Sequence, residues 1–385
     1  MLLTDPPAPL LKWPGGKRAE LSALAELLPR AARYHEPFVG GGAVWFATDP
    51  EVPAVVNDAC PDLVALYRAA RDQSDDLNAS LAAWVAWWTA LDGAADALSG
   101  LADAAGSGEA LSWVIVAAVT NQAIDAMPVA LGGLVDIVAV DVPARLSDKA
   151  RRIGAGQRRR GAKLSPADVA ANLEAALRSV VYRLLRRVYN EARLGGDVRP
   201  FAAGRRRATA RDIDRVAAFW LLRELAYAAM FRFNGRGEFN VPYGGISYNR
   251  RDLSVLPARL ADPAVRSRLA TTRLCLGDFA SALAAHPPGP DDVVFVDPPY
   301  AAEFSTYDDQ AFTDRDHRRL ASALQALPCR FVLVVSDAGA TAQRYGHDGW
   351  EVHAIDKTWA WTIKQRNDRR ARLLVVTNDP DRAAA

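Results

Sequence analysis

The chain has 385 residues, half of apolar types and 24% charged, which excludes an intrinsically disordered protein and leaves room for more than one domain. Its three cysteines are widely spaced and its five histidines form no ligand-spaced cluster, so neither a disulfide framework nor a metal site is predicted. A reducing cytoplasm fits this cysteine usage. The amino terminus lacks the pattern of a signal peptide, and polar side chains interrupt the most apolar stretch, 111–142, so we expect no membrane association.

The net charge is only +2, but the charges are unevenly distributed along the chain. Residues 144–211 carry 18 Lys and Arg against 5 Asp and Glu, so the rest of the chain has a net charge of −11. A basic segment on an otherwise acidic protein is typical of a surface that binds a polyanion such as nucleic acid. The alternative interpretation is a solvated helical face that is rich in arginine.

The first 75 residues alternate turn signals with short apolar runs, which predicts a β-α-β-α order. A glycine-rich turn lies within 34–46, a short strand covers 53–56, and a helix covers 61–70.

Residues 76–264 are predicted to be mainly helical. Two basic, glycine-containing stretches, 154–163 and 195–207, are predicted loops, and 223–230 is a predicted helix. Three tryptophans share one helical face, which indicates core packing: Trp84, Trp87 and Trp88.

From residue 265 the alternation of strands and helices resumes. Thr313 is a candidate cap for a helix over 317–327, and Asn367-Asp368 is a candidate hairpin turn. The simplest architecture is one α/β domain built from 1–75 and 265–385, with a helical domain inserted at 76–264. The strands predicted in the second half of the chain are 273–276, 293–296, 330–335 and 371–376.

The stretch EPFVGGG runs from a predicted strand into Gly40-Gly41-Gly42, where the backbone can turn tightly and approach a ligand. Asp58 follows 18 residues after Gly40, at the end of the next strand. In doubly wound folds an acid at that place accepts hydrogen bonds from ribose hydroxyls. The pair indicates an adenosine-containing cofactor, although a glycine-rich turn is often only a turn.

Asp278 and Phe279 follow another predicted strand. A carboxylate can accept from an adenine amino group while a phenyl ring packs on the base. The alternative is a helix N-cap, which the residues alone favour.

The sharpest signal is Asp297-Pro298-Pro299-Tyr300, directly after the apolar run VVFV. An exocyclic amine on a base is a poor nucleophile, because its lone pair is delocalised into the ring. Asp297 and the Pro298 carbonyl could accept both of its N–H groups and favour the tetrahedral nitrogen of the transition state. Tyr300 could stack on the base. A strand-ending turn with a surface acid is the alternative.

Six motifs occur in the order LKWPGGK, EPFVGGG, NDACPDLVALY, FRFNGRGEFNVPYG, GDF and DPPY. Together they resemble the Dam-like (D12 class, alpha-order) DNA adenine-N6 methyltransferases, over residues 11–70 and 180–380. The resemblance implies an α/β, class I (Rossmann-like) fold that binds S-adenosylmethionine (SAM), and an inserted DNA-recognition domain. It also implies double-stranded DNA as substrate, an adenine flipped into the pocket, and no metal. Whether a cognate restriction endonuclease accompanies the enzyme stays open.

Carried over by position, the resemblance assigns three sets of residues. The cofactor-binding set is Trp13, Lys17, Phe38, Gly40, Gly42, Asp58, Asp278, Phe279 and Asp297. The set that holds the flipped adenine is Asp297, Pro298, Pro299 and Tyr300. The DNA-contact set is Lys12, Tyr227, Arg232, Asn234, Arg236 and Asn240. Tyr227 would insert into the duplex and Arg232 would read a guanine edge; the alternatives for these two are a packing residue and a structural ion pair.

The chain departs from the family pattern in two places. After NVPYG it has Gly245-Ile246, where GATC-specific relatives tend to carry Arg-Tyr, so specificity for GATC is not implied. Residues 80–175 have no recognised counterpart and could extend the DNA footprint, oligomerise or bind a partner.

Three other functions stay open: cytosine-N4 transfer, RNA methylation, and a catalytically silent DNA-binding protein with the same fold. The first two act on an exocyclic amine by the same chemistry, but Asp rather than Ser before PPY favours adenine. The intact Asp297 and Tyr300 argue against the silent protein.

Overall fold

One sheet brings the predicted motifs of the two chain ends together. The computed structural model of the chain describes residues 2–101, 105, 111–195, 208–299, 312–337, 344–346, 349–358 and 370–378. Its strands are β1 (Tyr34–Glu36), β2 (Ala54–Asp58), β3 (Thr272–Leu276), β4 (Val293–Val296), β5 (Arg330–Ser336), β6 (Trp350–Thr358) and β7 (Arg370–Asn378). Within this described part they form one sheet in the order β3-β2-β1-β4-β5-β7-β6, in which β1 to β5 are parallel and β7 runs antiparallel to both its neighbours. This arrangement confirms the predicted α/β, class I (Rossmann-like) fold.

Strand β4 forms where the sequence predicts it. Its residues VVFV are at most 1% exposed, and the strand pairs with β1 on one side and β5 on the other. Parallel strands that are covered on both faces are typically such unbroken apolar runs. Two prolines follow at once, and proline lacks the N–H that strand pairing needs, so β4 ends at Val296.

Strand β6 is absent from the sequence prediction. Its first five residues, WEVHA, alternate apolar and polar types, which is the usual pattern of a half-buried strand, so a signal was available. It pairs with β7 along nine residue pairs, from Trp350↔Asn378 to Thr358↔Arg370. The hairpin turn predicted at Asn367-Asp368 lies outside the described residues.

The helices of the described part are α1 (Leu21–Ala25), α2 (Pro61–Asp72), α3 (Ser74–Ala97), α4 (Trp113–Asp125), α5 (Val135–Arg160), α6 (Pro166–Arg193), α7 (Ala208–Leu225), α8 (Val255–Ala261), α9 (Pro263–Ala270), α10 (Phe279–Ala285) and α11 (Asp314–Gln325). Short 3-10 helices lie at Arg18–Glu20, Trp45–Ala47, Leu98–Leu101, Val129–Leu134, Tyr227–Ala229 and Ile246–Tyr248. Thr313 caps α11 as predicted, because it forms a reciprocal capping box with Asp316. Within the described residues, no helix combines the length and the apolar composition that a membrane span requires.

The chain divides into two compact units, Met1–Asp72 with Arg259–Ala385, and Gln73–Ala258. The first unit contains the sheet. In the second unit α3 packs against α4 and α7, and α6 packs against α5 and α7. The three tryptophans of α3 are at most 2% exposed, so the predicted core face is confirmed.

An ionic network centred on a buried arginine lies in the second unit. Arg178 of α6 is 1% exposed and binds Glu174 at 2.8 Å, the carbonyl oxygen of Trp88 at 2.8 Å, and the carboxylate of Asp92. Its guanidinium also lies 4.7 Å from the centroid of the Trp88 ring, and Arg250 donates to Asp92 at 2.8 Å. These contacts hold α3 against α6.

The loop predicted at 154–163 is wrong for residues 154–160, because α5 continues to Arg160. Glycine lowers helix stability by about 1 kcal/mol relative to alanine, which is a weak preference that packing can override. Four residues at helical spacing are buried on one face of this part of α5: Ala150, Ile153, Gly154 and Gln157. Residues 196–207, most of the other predicted loop, lie outside the described part of the chain.

The helix predicted over 223–230 is also wrong, because α7 ends at Leu225. The chain there pairs with a later segment. Gly244 donates its N–H to the carbonyl oxygen of Leu225 at 3.0 Å, and Tyr227 donates its N–H to the carbonyl oxygen of Pro242 at 2.9 Å. These tertiary hydrogen bonds replace those of a continuing helix.

The two alanines after this turn have left-handed backbones, with φ of 55° at Ala228 and 51° at Ala229. Because that conformation is costly for residues with a Cβ, we expect Ala228→Gly to raise the free energy of unfolding by about 0.5–1 kcal/mol. Urea denaturation would measure it. Ala226 is the matched control, because it is buried and has φ of −69°, so glycine there should destabilise. Equal destabilisation by both substitutions would show that the turn is unstrained.

Candidate active site

The predicted site residues of the first unit gather at one edge of the sheet. Strands β1 to β4 are parallel neighbours in the order β3-β2-β1-β4, so the segments that follow them leave at the same edge. Those segments hold the glycine turn, Asp278-Phe279 and Asp297, and Asp58 is the last residue of β2 at the same edge. In open α/β sheets, ligands bind outside this carboxyl edge. Chain direction therefore brings motifs that are far apart in sequence into one site.

The glycine turn after β1 is covered by Trp13. A Cβ placed on Gly40 would lie 2.8 Å from Trp13 Cδ1, and one on Gly41 would lie 2.9 Å from Trp13 Cβ. Gly40 and Gly42 have φ of 47° and 70°, which residues with side chains rarely adopt. The turn thus requires glycine both for its backbone conformation and for its contact with the indole.

Asp58, at the end of β2, holds the glycine turn against β2 by hydrogen bonds. Its Oδ2 accepts the N–H of Gly40 at 2.9 Å, and its Oδ1 accepts the N–H of Cys60 at 2.9 Å. Tyr67 of α2 donates its hydroxyl to the carbonyl oxygen of Gly40 at 2.6 Å. The acid predicted to hold a ribose therefore also fixes the loop, and its binding role stays a prediction.

Asn57 is a structural residue that the sequence prediction omits. Its Nδ2 donates to the carbonyl oxygens of Pro37 at 3.0 Å and Gly277 at 2.9 Å, and the residue is 3% exposed. Since Pro37 follows β1 and Gly277 follows β3, one amide joins the ends of three strands. An asparagine ending a buried strand was the available signal, because buried polar groups need hydrogen-bond partners.

Three phenylalanines form an aromatic cluster at the same edge. Ring centroids lie 5.2 Å apart for Phe38–Phe279, 5.5 Å for Phe38–Phe312 and 5.9 Å for Phe279–Phe312. Phe279 is 3% exposed, whereas Phe38 and Phe312 are half-buried. The structure thus brings two predicted cofactor residues together. Phe312 was missed because it belongs to none of the motifs.

Asp278 caps helix α10. Its Oδ1 accepts the N–H of Ala280 at 3.0 Å, and the carboxylate pairs with Arg319 of α11 at 2.7 Å. The Arg319 guanidinium also lies 5.1 Å from the centroid of the Phe279 ring. The helix-cap interpretation therefore holds, and contact between Asp278 and an adenine amino group stays a prediction.

Lys17 and Asp297 form an ion pair at this edge. The Lys17 side chain is 2% exposed and that of Asp297 is 19% exposed. Lys17 Nζ also donates to the carbonyl oxygen of Gly15 at 2.8 Å. The sequence prediction places Lys17 near a cofactor but omits this pair, because 280 residues separate the partners. The pair orients the carboxylate that is predicted to hold the target amine.

Glu36, the last residue of β1, is a buried acid that the prediction also omits. It is 3% exposed, and its Oε2 accepts the Tyr34 hydroxyl at 2.7 Å. Burial raises the pKa of the Glu36 carboxyl well above its usual range, and the charge of Asp297 adds to this, whereas the Tyr34 hydrogen bond and Lys17 act in the opposite direction.

We expect Glu36→Gln to reduce the loss of stability at rising pH. Because the folded-state pKa of Glu36 is raised, its contribution is full below the unfolded-state pKa and is lost as the pH rises through the folded-state pKa. Glutamine does not titrate, so the Tm of the wild type relative to the variant should fall from about pH 5 upward. Tyr34→Phe is the control, because it keeps the carboxyl and removes a hydrogen bond that lowers the pKa of Glu36, so its pH dependence should be at least as large as that of the wild type. A pH-independent Tm difference between the wild type and Glu36→Gln would contradict the raised pKa.

The other predicted residues at this edge differ in exposure. Pro298 is buried, whereas Pro299 and Lys12 are exposed. Tyr300 lies outside the described residues, so its stacking role stays a prediction.

The family model described as D12 class N6 adenine-specific DNA methyltransferase matches residues 13–86 and 165–359, which is most of the chain. The chain belongs to this family. It is therefore an adenine-specific DNA methyltransferase, with DNA as substrate and a methyl-donor cofactor. The predicted family and activity are confirmed.

Curated relatives match this methyltransferase along most of its length at low identity. The type II methyltransferase M1.LlaDCHI of Lactococcus lactis subsp. cremoris is 20% identical, over 96% of this chain and 95% of its own. The retron Ec67 DNA adenine methylase of Escherichia coli is 25% identical, over 82% and 72%. The type II methyltransferase M.MjaIII of Methanocaldococcus jannaschii is 23% identical, over 84% and 81%.

The D12 family model skips residues 87–164 of this methyltransferase. The described residues of this segment include the second half of α3, all of α4 and α5, and two short 3-10 helices. Helix α4 packs on α3 and α5, and α5 packs on α6, so the segment is part of the second unit's fold.

Most of the predicted DNA contacts of the methyltransferase are exposed in the second unit. Tyr227 is 46% exposed, and Arg232, Arg236 and Asn240 are also exposed. Exposure permits the predicted contacts, which stay predictions.

Asn234 differs from these residues, because its side chain closes a loop. Its Oδ1 accepts the N–H groups of Arg236 at 2.9 Å and Glu238 at 3.0 Å, and its Nδ2 donates to Glu238 Oε2 at 2.8 Å. The Asn234 amide therefore shapes the loop that presents Arg236. Its own contact with DNA stays a prediction.

Proposed function

We propose that S-adenosylmethionine is the methyl donor and that it binds at the carboxyl edge of β1, β2 and β3. The side chains there suit its adenosine part. The half-buried rings of Phe38 and Phe312, packed on the buried Phe279, offer apolar surface to a base, and the carboxylates of Asp58 and Asp278 accept from hydroxyl and amino groups. When bound, S-adenosylmethionine supplies an electrophilic methyl group on a sulfonium sulfur.

The glycine turn completes this proposed site. Gly40 and Gly42 give the backbone its tight course, and Trp13 lies against the turn. We propose that Trp13 and Lys17 border the methionine part of the cofactor, where Lys17 is held beside Asp297.

Asp297 and Pro298 hold the target amine in this proposal. The observation that carries it is the position of Asp297, directly after buried β4, at the same edge as the glycine turn, and oriented by Lys17. The carboxylate and the Pro298 carbonyl accept the two N–H groups of the adenine N6. The amine lone pair is then directed out of the ring plane, and the tetrahedral nitrogen of the transition state is stabilised. Pro299 limits the freedom of the turn.

Double-stranded DNA reaches this site with one adenine flipped out of the stack, and Tyr300 stacks on that base. The second unit serves as the DNA-recognition domain. Tyr227 is inserted into the duplex and Arg232 reads a guanine edge. The remaining DNA contacts of the proposal are Lys12, Asn234, Arg236 and Asn240.

Tritiated S-adenosylmethionine and unmethylated plasmid DNA test the proposal. After incubation, the DNA is digested to nucleosides, and label is expected in N6-methyl-2′-deoxyadenosine. Label in N4-methylcytosine instead would show that the target base is cytosine rather than adenine. A parallel reaction contains RNA in place of DNA. Label in the RNA alone would show that the substrate is RNA and not DNA. Absence of label from every substrate, with the cofactor bound, would indicate a silent DNA-binding protein.

A restriction partner is a separate proposal. The Lactococcus and Methanocaldococcus relatives are named type II methyltransferases, and these names support a cognate endonuclease that cuts the same sequence. The Escherichia coli relative is named a retron methylase, and this name supports a methyltransferase that belongs to a retron rather than to a pair with an endonuclease. Mapping the methylated sequence and challenging modified DNA with nucleases of that specificity would decide between them.

A further inference from the structure

The turn between α5 and α6 carries a cluster of unpaired positive charge. Residues 149–167 contain seven Lys and Arg and no Asp or Glu. Most of this stretch, up to residue 164, belongs to the segment that the D12 family model skips. Its charge is therefore a property of this chain rather than of the matched family pattern.

Many cations of the wider basic segment already have acidic partners. Arg151 and Arg152, more than two turns before the end of α5, bind Asp148 at 2.6 and 2.9 Å. On α6, Arg178 is buried in its network, Arg183 pairs with Asp141, and Arg187 pairs with Glu191. The excess charge of the segment therefore does not form one uniform binding surface.

Four cations at the turn differ from these. All four side chains are exposed, and within the described residues the structure gives none of them an ion pair or a hydrogen bond. We call this group the cationic turn: Arg158, Arg159, Arg160 and Lys163.

The backbone of the cationic turn is fixed by hydrogen bonds. Gly161 ends α5 with φ of 66°, and its N–H donates to the carbonyl oxygen of Gln157 at 2.9 Å. The side-chain oxygen of Gln157 accepts the N–H of Leu164 at 3.0 Å, and Gln157 is 8% exposed. Ser165 then caps α6 by accepting the N–H of Asp168. Since the backbone is already ordered, little backbone conformational entropy remains to be lost when its cations bind a ligand.

We infer that the cationic turn binds the phosphate backbone of double-stranded DNA. This rests on the proposed function, in which the second unit binds DNA. Closely spaced, exposed and unpaired cations on an ordered turn are complementary to a row of phosphates, which releases counterions on binding. Such contacts add affinity without reading sequence. The competing explanation is that the arginines only stabilise the carboxyl end of α5.

The test compares two variants with the same change in charge on the same helix. Arg158→Gln/Arg159→Gln removes two cations of the turn, and Arg151→Gln/Arg152→Gln removes two cations that are paired with Asp148. The dissociation constant for a long DNA duplex is measured between about 50 and 200 mM KCl for both variants and the wild type. Urea denaturation of each protein checks that it is folded.

We expect the slope of log Kd against log salt concentration to fall by about 2 for the turn variant and to stay unchanged for the control. Over that salt range, the affinity of the turn variant should then vary about tenfold less than that of the wild type. An unchanged slope in both variants, with loss of stability in the turn variant, would assign the arginines to helix stability alone. An equal fall of the slope in both variants would indicate a general electrostatic effect of the protein's positive charge, and it would also overturn the inference. Methylation of plasmid adenine by the wild type, measured separately, reports on the proposed function itself.

Discussion

Asp297→Asn is expected to lower the rate of methyl transfer by about 10²–10³-fold while leaving methyl-donor binding measurable. Asparagine keeps the size of the side chain but replaces one acceptor oxygen by a donor, so it cannot support the amine as a carboxylate does. The single-turnover rate, at saturating DNA and S-adenosylmethionine, measures the chemical step. Equilibrium dialysis with labelled S-adenosylmethionine measures binding. A wild-type rate in Asp297→Asn would show that the catalytic centre lies elsewhere.

The ion pair of Asp297 calls for a second variant as a control. Lys17 is 2% exposed, so Asp297→Asn leaves a buried ammonium group without its carboxylate, which can destabilise a protein by about 3–5 kcal/mol. Lys17→Met/Asp297→Asn removes both charges and should recover stability while remaining inactive. If the double variant regained transfer, the acceptor role of Asp297 would be wrong and the loss in the single variant would reflect the unpaired lysine.

Arg178→Ala is expected to lower the free energy of unfolding by about 3 kcal/mol, because Glu174, whose side chain is 9% exposed, then keeps only Arg250 at 3.6 Å as a cationic partner within the described residues. The substitution also removes the contact of the guanidinium with the Trp88 ring and its hydrogen bond to the Trp88 carbonyl oxygen. Urea denaturation, followed by circular dichroism and tryptophan fluorescence, would measure the loss.

Arg151→Ala is the matched control for that substitution. Arg151 also binds an acid in a neighbouring turn of its helix, but its side chain is 78% exposed, so water screens the pair. The urea midpoint of Arg151→Ala should match that of the wild type. Equal midpoints for Arg178→Ala and Arg151→Ala would show that the ionic network does not hold α3 against α6.

Local signals predicted much of the first unit. The run VVFV with two prolines gave β4 its bounds, and the pattern of Thr313 and Asp316 gave the start of α11. These features depend on neighbours in the chain, such as an apolar run, a missing N–H or a capping hydroxyl. Strand β6 shows that such a signal can be present and still be overlooked.

The second unit was less predictable, because its helix ends depend on contacts distant in sequence. Leu225 ends α7 where the backbone pairs with residues near Gly244. Gly154 continues α5 because its face of the helix is buried. In both places, tertiary packing outweighed a local propensity of about 1 kcal/mol or less per residue.

The sequence by itself determined the family, the fold class and the position of the acid after β4, because each depends on ordered motifs and local periodicity. Only the tertiary structure decided which side chains surround that acid. Lys17 pairs with Asp297, and Glu36 is buried close enough for the charges of both to act on its pKa. Spacing along a chain encodes which residues share a strand or helix face, but not which distant segments meet. Contacts between distant segments follow from the order of the parallel strands in the sheet, which brings the carboxyl ends of these strands to one edge.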